Sequence, residues 1–325
     1  GAKTGELFYD STNRDFKYSF PNVTTAGAWS TGNSLGTARK DMGGVGIQTA
    51  ALAYGGSTPS STRDETESYN GTSWTELSDL NTAKAGVGSA GTYTSALKFG
   101  GSGAVTENES WDGSSWTELS DLNTGKNGPG GAGSSNTNAL AFGGSVPSGP
   151  EKTATVETWD GSSWTEVTDL NTARGNLIGV GKANTAALAV GGDPPGVLTE
   201  QWNGSSWTEL GDMNTAKSGG AGAGTYTSAI AFAGASALAV TEVWNGTSWT
   251  EQGDLAQGRK GLDGAGADNT SGLAFGGFNE SADSVFSDTE EWAGAGAAVF
   301  AWSTGGSLNT ARNNLAGAGT QTAAI

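Results

Sequence analysis

The side chains that most often carry out catalysis are either missing from this chain or confined to one position in each copy of a repeat. The 325 residues include no histidine and no cysteine. This excludes imidazole bases, thiolate nucleophiles, zinc-thiolate sites and disulfides. Carboxylates recur after a Trp-Thr pair, and one acid at one repeated spot predicts a structural or solvated role rather than a paired acid and base. These acids are Glu76, Glu118, Glu166, Glu209 and Glu251.

A second recurring series is basic. We expect its members to pair with nearby aspartates, Asp79, Asp121, Asp169, Asp212 and Asp254, and the functional alternative is a cationic rim around a central channel. The series consists of Arg39, Lys84, Lys126, Arg174, Lys217, Arg259 and Arg312.

Charge and composition exclude further classes of function. The formal net charge of -17 argues against binding a nucleic-acid backbone or an anionic membrane surface. The glycine-rich stretch 86–91 lacks the following helix and the Lys-Ser/Thr of a phosphate-binding loop. The acidic stretch 63–67 has no ordered calcium-ligand spacing. The sequence therefore predicts no metal and no cofactor.

A tryptophan-centred repeat dominates the chain and predicts its fold. The tryptophans are separated by 45, 42, 48, 43, 42 and 53 residues. The mean interval predicts seven repeats in about 319 residues, close to the length of the chain. The repeated tryptophans are Trp29, Trp74, Trp116, Trp164, Trp207, Trp249 and Trp302.

Each repeat reads as four short antiparallel strands. A glycine-rich strand is followed by an alternating strand that ends at a glycine pair, as at 94–101. An Asn-Gly or Asp-Gly turn, predicted to be type I′, then joins two strands that carry facing aromatic residues, such as Tyr69 and Trp74. One such sheet cannot bury both faces alone, so the sheets must stack in a ring. We predict an all-β, seven-bladed β-propeller with four-stranded antiparallel blades.

The repeats are similar to known repeat families. The glycine pairs at 55–56, 100–101, 143–144, 191–192 and 276–277, with an aromatic pair downstream, resemble kelch repeats. The repeated sequence Asn-Gly-Thr-Ser-Trp-Thr-Glu-Leu resembles the glycine-rich repeat proteins of marine bacteriophages. The opening residues 5–12 resemble a segment that precedes such repeats in phage fibres. The resemblance implies a virion appendage or tail-fibre protein, and hence a virion or extracellular location.

The two ends of the chain are expected to close the ring as one domain, 1–325. The C-terminal sequence 320–325 matches 47–52 in the second strand of a repeat. We therefore expect residues 312–325 to supply two inner strands of a shared blade and residues 14–34 to supply its outer pair, with Trp29 in the last strand. We expect residues 1–13 to form an N-terminal tail or a junction.

One class of loop varies in length over a constant frame. The loops between the second and third strands share one end of the ring, and variation of this kind is how scaffolds carry recognition. They span residues 57–67, 102–107, 145–156, 193–199, 235–241 and 278–289. The candidate binding residues in them are Arg63, Asp64, Glu65, Glu151, Lys152, Asp193, Phe278, Asn279 and Asp283.

The function expected from these features is binding rather than catalysis. The leading interpretation is a non-enzymatic adhesion module, on a virion appendage, that recognises a surface glycan or another virion protein. One alternative is an architectural filament or decoration subunit. The other is a glycan hydrolase or lyase with a carboxylate pair in the axial channel.

Overall fold

The computed structural model of the chain describes residues 7–10, 15–18, 26–146, 152–194 and 196–295. The chain divides into two compact units, one of which spans Gly27–Gly294 and the other Gly1–Ala26 with Ala295–Ile325. The elements described in the latter unit are two antiparallel strands, β1 (Leu7–Asp10) and β2 (Asp15–Tyr18).

The unit Gly27–Gly294 contains six four-stranded antiparallel sheets, the blades. Blades 1 and 2 consist of β4 (Gly43–Ile47), β5 (Ala50–Tyr54), β6 (Thr66–Tyr69) and β7 (Trp74–Glu76), then β8 (Gly88–Thr92), β9 (Ser95–Phe99), β10 (Asn108–Trp111) and β11 (Trp116–Glu118). Blades 3 and 4 consist of β12 (Gly130–Ser135), β13 (Asn138–Phe142), β14 (Val156–Trp159) and β15 (Trp164–Val167), then β16 (Ile178–Ala183), β17 (Ala186–Val190), β18 (Thr199–Trp202) and β19 (Trp207–Glu209). Blade 5 consists of β20 (Ala221–Thr225), β21 (Ser228–Phe232), β22 (Thr241–Trp244) and β23 (Trp249–Glu251). Blade 6 consists of β24 (Asp263–Asp268), β25 (Ser271–Phe275), β28 (Thr289–Ala293) and β3 (Ala28–Gly32).

The loops add two smaller elements between the second and third strands. A 3-10 turn at Ala235–Ala237 occupies this loop in blade 5. In blade 6 the loop carries a two-stranded hairpin of β26 (Phe278–Asn279) and β27 (Ser284–Val285).

A closed circle of backbone hydrogen bonds joins the six blades. The residue two positions before each first strand has a left-handed conformation, with φ between +50° and +64°. Each donates its N–H to the carbonyl of its counterpart in the preceding blade, at 2.6 to 3.1 Å. Glycine, asparagine and aspartate tolerate this conformation best, which explains the residue types found there. We call these six residues the αL ring: Asp41, Gly86, Gly128, Asn176, Gly219 and Gly261.

The predicted number of blades was wrong: the described residues form six blades rather than seven. Trp29 does not begin a separate unit, because its strand β3 pairs with β28 and completes the blade whose inner strands start at Asp263. The inner strands β24 and β4 then lie side by side, and the bond from the N–H of Asp41 to the carbonyl of Gly261 closes the circle. Counting tryptophans along the chain therefore gave one unit more than the described residues form, and the seventh tryptophan, Trp302, lies outside them.

The predicted closing blade is correct in one strand only. An N-terminal strand that contains Trp29 is the outermost strand of the last blade, as expected. The third strand beside it is Thr289–Ala293, not a segment from 14–34, and Asp15–Tyr18 pairs with Leu7–Asp10 instead. The expected strands at 312–325 lie outside the described residues.

The aromatic pairs predicted across the outer hairpins are confirmed. Trp159 lies opposite Trp164, and their ring centroids are 5.4 Å apart. The second tryptophan also packs edge-on against the preceding blade, as Trp164 does against Phe99 at 5.2 Å. Each aromatic pair therefore stabilises its own sheet and the interface with the neighbouring blade.

The hairpin turns are not the predicted type I′ turns. A type I′ turn needs positive φ at both central residues, whereas in this turn Gly71 has φ +87° and Asn70 is not among the positive-φ residues. The connection runs over four residues between Tyr69 and Trp74. Its Asn70 side chain accepts the N–H groups of Thr72 and Ser73, both at 2.9 Å, so the asparagine acts through its side chain.

Candidate functional site

The recurring basic residues do not form a cationic rim in the described blades. Arg174 is fully buried and binds Glu200 of the third strand of its blade at 2.8 Å. It also donates to the carbonyls of Gly191 and Leu198 at 2.6 and 3.1 Å. The expectation of ion pairing was correct, but the partner is a buried glutamate rather than the predicted aspartate. Comparable pairs are Arg39 with Glu67, Lys126 with Glu157, Lys217 with Glu242 and Arg259 with Glu290.

Blade 2 modifies this arrangement. A fully buried lysine, Lys98, replaces the alanine found in the second strand of the other blades, and its Nζ lies 3.4 Å from Glu109. Lys84 binds Glu107 instead, at 2.9 Å. Both bases are therefore paired, and neither is available to a ligand.

The buried glutamate also explains the repeated Leu-Asn-Thr-Ala segment. Oε2 of Glu200 accepts the backbone N–H of Asn171 at 2.7 Å and its side-chain amide at 2.8 Å. The same amide donates to the carbonyl of Trp207 at 3.3 Å. Each segment thus fixes the connection between two blades, and this motif has a structural role.

The carboxylates that follow each Trp-Thr pair are exposed on the outermost strands. Glu76, Glu118, Glu166, Glu209 and Glu251 all lie at the solvent side of the blades. Each is the single carboxylate of its strand and lies opposite the glutamate of the third strand, as Glu76 does opposite Glu67. Their exposure agrees with the predicted solvated role.

Two carboxylates that sequence reasoning did not single out lie at the loop end of the axial channel. Asp41 of the αL ring and Asp263 of β24 line the same cavity, of about 140 Å³. Asp263 accepts the N–H of Gly264 at 2.7 Å, and burial raises its pKa to about 7. Burial also raises the pKa of Asp41. The available signal was that Asp263 stands where the first strands of blades 1 to 3 begin with glycine.

The variable loops lie at this same end, which we call the variable-loop face. In blade 1, Arg63 forms an ion pair with Glu65, while Asp64 is exposed. The carbonyl of Glu65 accepts Nη1 of Arg39 at 2.7 Å. Part of this predicted group therefore supports the frame, and Asp64 remains at the surface.

The candidates of blades 3 and 4 come together across neighbouring loops. Nζ of Lys152 lies 3.9 Å from Oδ2 of the exposed Asp193 and 3.4 Å from Oγ of Ser145. Glu151 lies outside the described residues. The structure thus places one exposed ion pair between two variable loops.

The candidates of blade 6 occupy its loop hairpin. Nζ of Lys40 lies 4.4 Å above the ring of Phe278, a cation–π contact that joins the first and last blades. Asn279 donates to the carbonyl of Gly258 at 2.9 Å. Asp283 is exposed and has φ +45°, in the turn of the hairpin.

The opposite end of the channel, which we call the hairpin mouth, is lined by the turns between first and second strands. Ile47, Tyr93 and Tyr226 are exposed there by 38%, 45% and 39%. A cavity of about 340 Å³ opens beside Ile47, Ala50, Tyr93 and Lys182. Sequence reasoning missed this surface, because short and uniform turns gave no sign of recognition.

Comparisons with known proteins establish the fold and nothing finer. No protein-family description matches the chain, and no curated protein matches it. The fold is shared with a solved structure titled "Structure of YjhT", with a TM-score of 0.65 and 15% identity, covering 79% of this chain and 95% of that one. At this identity the likeness shows a β-propeller fold alone. In the described part of the chain, no helix is long and apolar enough to cross a membrane.

Proposed function

We propose that this protein is a non-enzymatic binding module and that the variable-loop face carries its recognition site. The observation behind the proposal is a constant frame with divergent loops. The six blades repeat the same strand pairing, and five of them repeat the same buried ion pair. The loops on one face range from a 3-10 turn to a β-hairpin. Divergence confined to exposed loops on a rigid scaffold is typical of binding proteins.

The surface chemistry of these loops favours a polar ligand. The exposed segment 59–62 is rich in serine and threonine, and the charged groups Asp64, Asp193 and Asp283 stand at the surface nearby in other loops. Hydroxyl and carboxylate groups of this kind accept and donate hydrogen bonds to sugar hydroxyls or to a polar protein surface. A surface glycan or another surface protein is the partner class we infer.

The proposed setting is a virion appendage or tail fibre, at the surface of a particle. It rests on the resemblance of the repeat wording to phage Gly-rich repeats and of the glycine pairs to kelch repeats. A net charge of -17 and a fold without disulfides are compatible with such an exterior location.

One observation favours a second candidate, a glycan hydrolase or lyase. Asp41 and Asp263 come from different blades and line one cavity, and a carboxyl whose pKa lies near 7 can act as a general acid or base. However, Asp263 already accepts backbone N–H groups of Gly264 and of Gly44 in blade 1, which gives it a structural role at the seam between blades 6 and 1. The Asp41→Asn and Asp263→Asn variants distinguish the two candidates, because only an enzyme loses turnover of a glycan.

A binding screen with loop exchanges tests the main proposal. We would present the purified chain to a glycan array and to whole bacterial cells. A variant in which 57–65 is replaced by the shorter loop 102–107 tests the loop face, with Glu166→Gln on an outer strand as the control. We expect saturable binding that the loop exchange weakens and the control retains, with the ligand recovered intact. Binding that survives exchange of every variable loop, or no binding to any glycan or cell, would overturn the proposal.

A further inference from the structure

We propose that the hairpin mouth is a second binding site, for a small organic anion that has an apolar ring face. Lys182 contacts the anionic group, and Ile47, Ala50 and Tyr93 contact the ring. This site lies at the other end of the channel from the variable loops, so it goes beyond the function proposed above.

The first argument is the distribution of exposed apolar side chains. Ile47, Tyr93 and Tyr226 are the three large hydrophobic side chains that the described blades leave exposed. All three stand at the hairpin mouth, in blades 1, 2 and 5. Elsewhere in the described blades the large apolar residues are buried or half-buried. Two of them, Ile47 and Tyr93, line the same cavity, and exposed apolar side chains that gather in a concavity mark an interaction site.

The second argument concerns a pair of hydrogen bonds, here called the clamp, that joins neighbouring blades at the hairpin mouth at four of the six interfaces. At the interface between blades 2 and 3, the turn residue Asn136 donates to the carbonyl of Trp111 at 3.1 Å. The backbone N–H of Asn136 also donates to Oγ of Ser95, at 3.1 Å. Ser95 is the first residue of the second strand of blade 2. At three other interfaces a turn residue likewise donates its side-chain amide to the carbonyl of a tryptophan in the preceding blade: Asn184 to Trp159, Asn269 to Trp244 and Gln48 to Trp292.

The clamp is missing at two interfaces, and both of its members change together. Between blades 1 and 2, Ala50 and Tyr93 occupy the two positions, and between blades 4 and 5, Ala186 and Tyr226 occupy them. The tyrosine rings therefore stay at the surface instead of holding the neighbouring blade. A stabilising contact has been replaced by exposed aromatic surface, which folding alone does not explain.

The third argument is the position of Lys182 on a β-bulge. In blades 1, 2 and 5 the first two strands pair without interruption as far as the turn. In blade 4 the register shifts between Val180 and Ala183, as it does at the equivalent place in blades 3 and 6, and the residue that blade 4 carries inside the shift is Lys182. A bulge re-aims the side chain it carries, and here the side chain lines the cavity beside Tyr93.

The fourth argument is that Lys182 lacks a partner in the described structure. Among the described residues of Gly27–Gly294, every other lysine or arginine forms an ion pair or, for Lys40, a cation–π contact. The carboxylate that acts on Lys182 is that of Asp268, which already accepts the N–H and the hydroxyl of Thr270. In a chain of net charge -17, a cation without an ion-pair partner stands out, and beside an apolar surface it is complementary to an anionic ligand.

The size of the cavity selects the occupant. A volume of about 340 Å³ falls at the lower end of the range for small-molecule sites, about 300 to 1,000 Å³. The apolar lining suits the face of a ring, and one ammonium group suits one carboxylate. A macromolecular partner would need a broader surface than this concave mouth.

Ligand titrations followed by saturation-transfer NMR test the proposal with benzoate, its neutral isostere benzamide, and acetate. We expect saturable binding of benzoate, with benzamide and acetate each weaker by about ten-fold or more, since each lacks one of the two contacts. Equal binding of benzoate and benzamide would remove the role of the charge. Binding of none of the three probes would overturn the proposal.

Variants locate the site. Lys182→Met removes the charge from an exposed side chain and retains an apolar stem, and Tyr93→Asn with Ala50→Ser restores the clamp found at the other interfaces. Both are expected to abolish benzoate binding, with the thermal midpoint of Lys182→Met unchanged. The matched controls, Tyr226→Asn with Ala186→Ser across the ring, should retain it.

Two further outcomes would overturn the proposal. Retention of benzoate binding in Lys182→Met places the anion elsewhere. Self-association that depends on Tyr93, seen by sedimentation at increasing protein concentration, assigns the mouth to a second copy of the chain.

Discussion

Two blade interfaces lack a hydrogen bond that four others have, and restoring that bond at one of them is expected to stabilise the protein. At the interface of blades 4 and 5, Nε1 of Trp249 donates to Oγ1 of Thr199 at 2.9 Å. The corresponding pair between blades 3 and 4 is Trp207 and Val156. They share a buried cluster, but valine offers no acceptor, and Nε1 of Trp207 has no partner. Val156→Thr places a hydroxyl beside this orphaned donor.

The expected gain in the free energy of unfolding is the difference between two contributions of Val156→Thr. A buried donor without a partner costs about 1–3 kcal/mol. Replacing a buried methyl by a hydroxyl loses about 0.8 kcal/mol of apolar burial. The net gain in the free energy of unfolding should therefore be about 1 kcal/mol. The reverse change, Thr199→Val, orphans Trp249 and should lower it by about 1–2 kcal/mol.

Equilibrium urea unfolding, followed by tryptophan fluorescence on the full chain, measures both changes. The control is a second valine-to-threonine change, at a buried position where no hydrogen-bond donor lacks a partner. Val190 is fully buried and packs in a cluster with Trp249, whose indole is already bonded, so Val190→Thr should destabilise. If Val156→Thr destabilises the protein as much as Val190→Thr, the orphaned indole is not a source of instability and the reasoning fails.

Two more predictions concern buried charges. Arg174→Met leaves Glu200 buried and unpaired, and should cost about 3–5 kcal/mol in urea unfolding. Lys152→Met, which removes an exposed pair, should change stability by less than about 1 kcal/mol, and equal losses would contradict the buried pairing. Asp263 has a pKa of about 7 in the folded protein and about 4 when unfolded, so only the unfolded state ionises between these values. The stability of wild type should therefore fall relative to Asp263→Asn as pH rises from about 4 to about 7, and a pH-independent difference between the two unfolding curves would contradict the raised pKa.

The repeated features of the fold could be predicted because they are local. The order of four strands, the facing aromatics such as Trp159 and Trp164, and the exposed Glu166 follow from residue alternation and turn chemistry within some 45 residues. The same reasoning predicted that the basic series would pair. It could not identify Glu200 as the partner of Arg174, because they are 26 residues apart in sequence and meet only when the blade folds.

The sequence by itself thus determined a stacked, four-stranded β-propeller without thiol or imidazole chemistry. The tertiary structure decided how many blades close the ring, because closure depends on which strand pairs with β28. That strand is β3, which is more than 250 residues away in the sequence. It also decided the two ends of the channel. Asp41 and Asp263 line one cavity, and Lys182 and Tyr93 line another, only because different blades converge on the axis, and this convergence leaves no period in the chain.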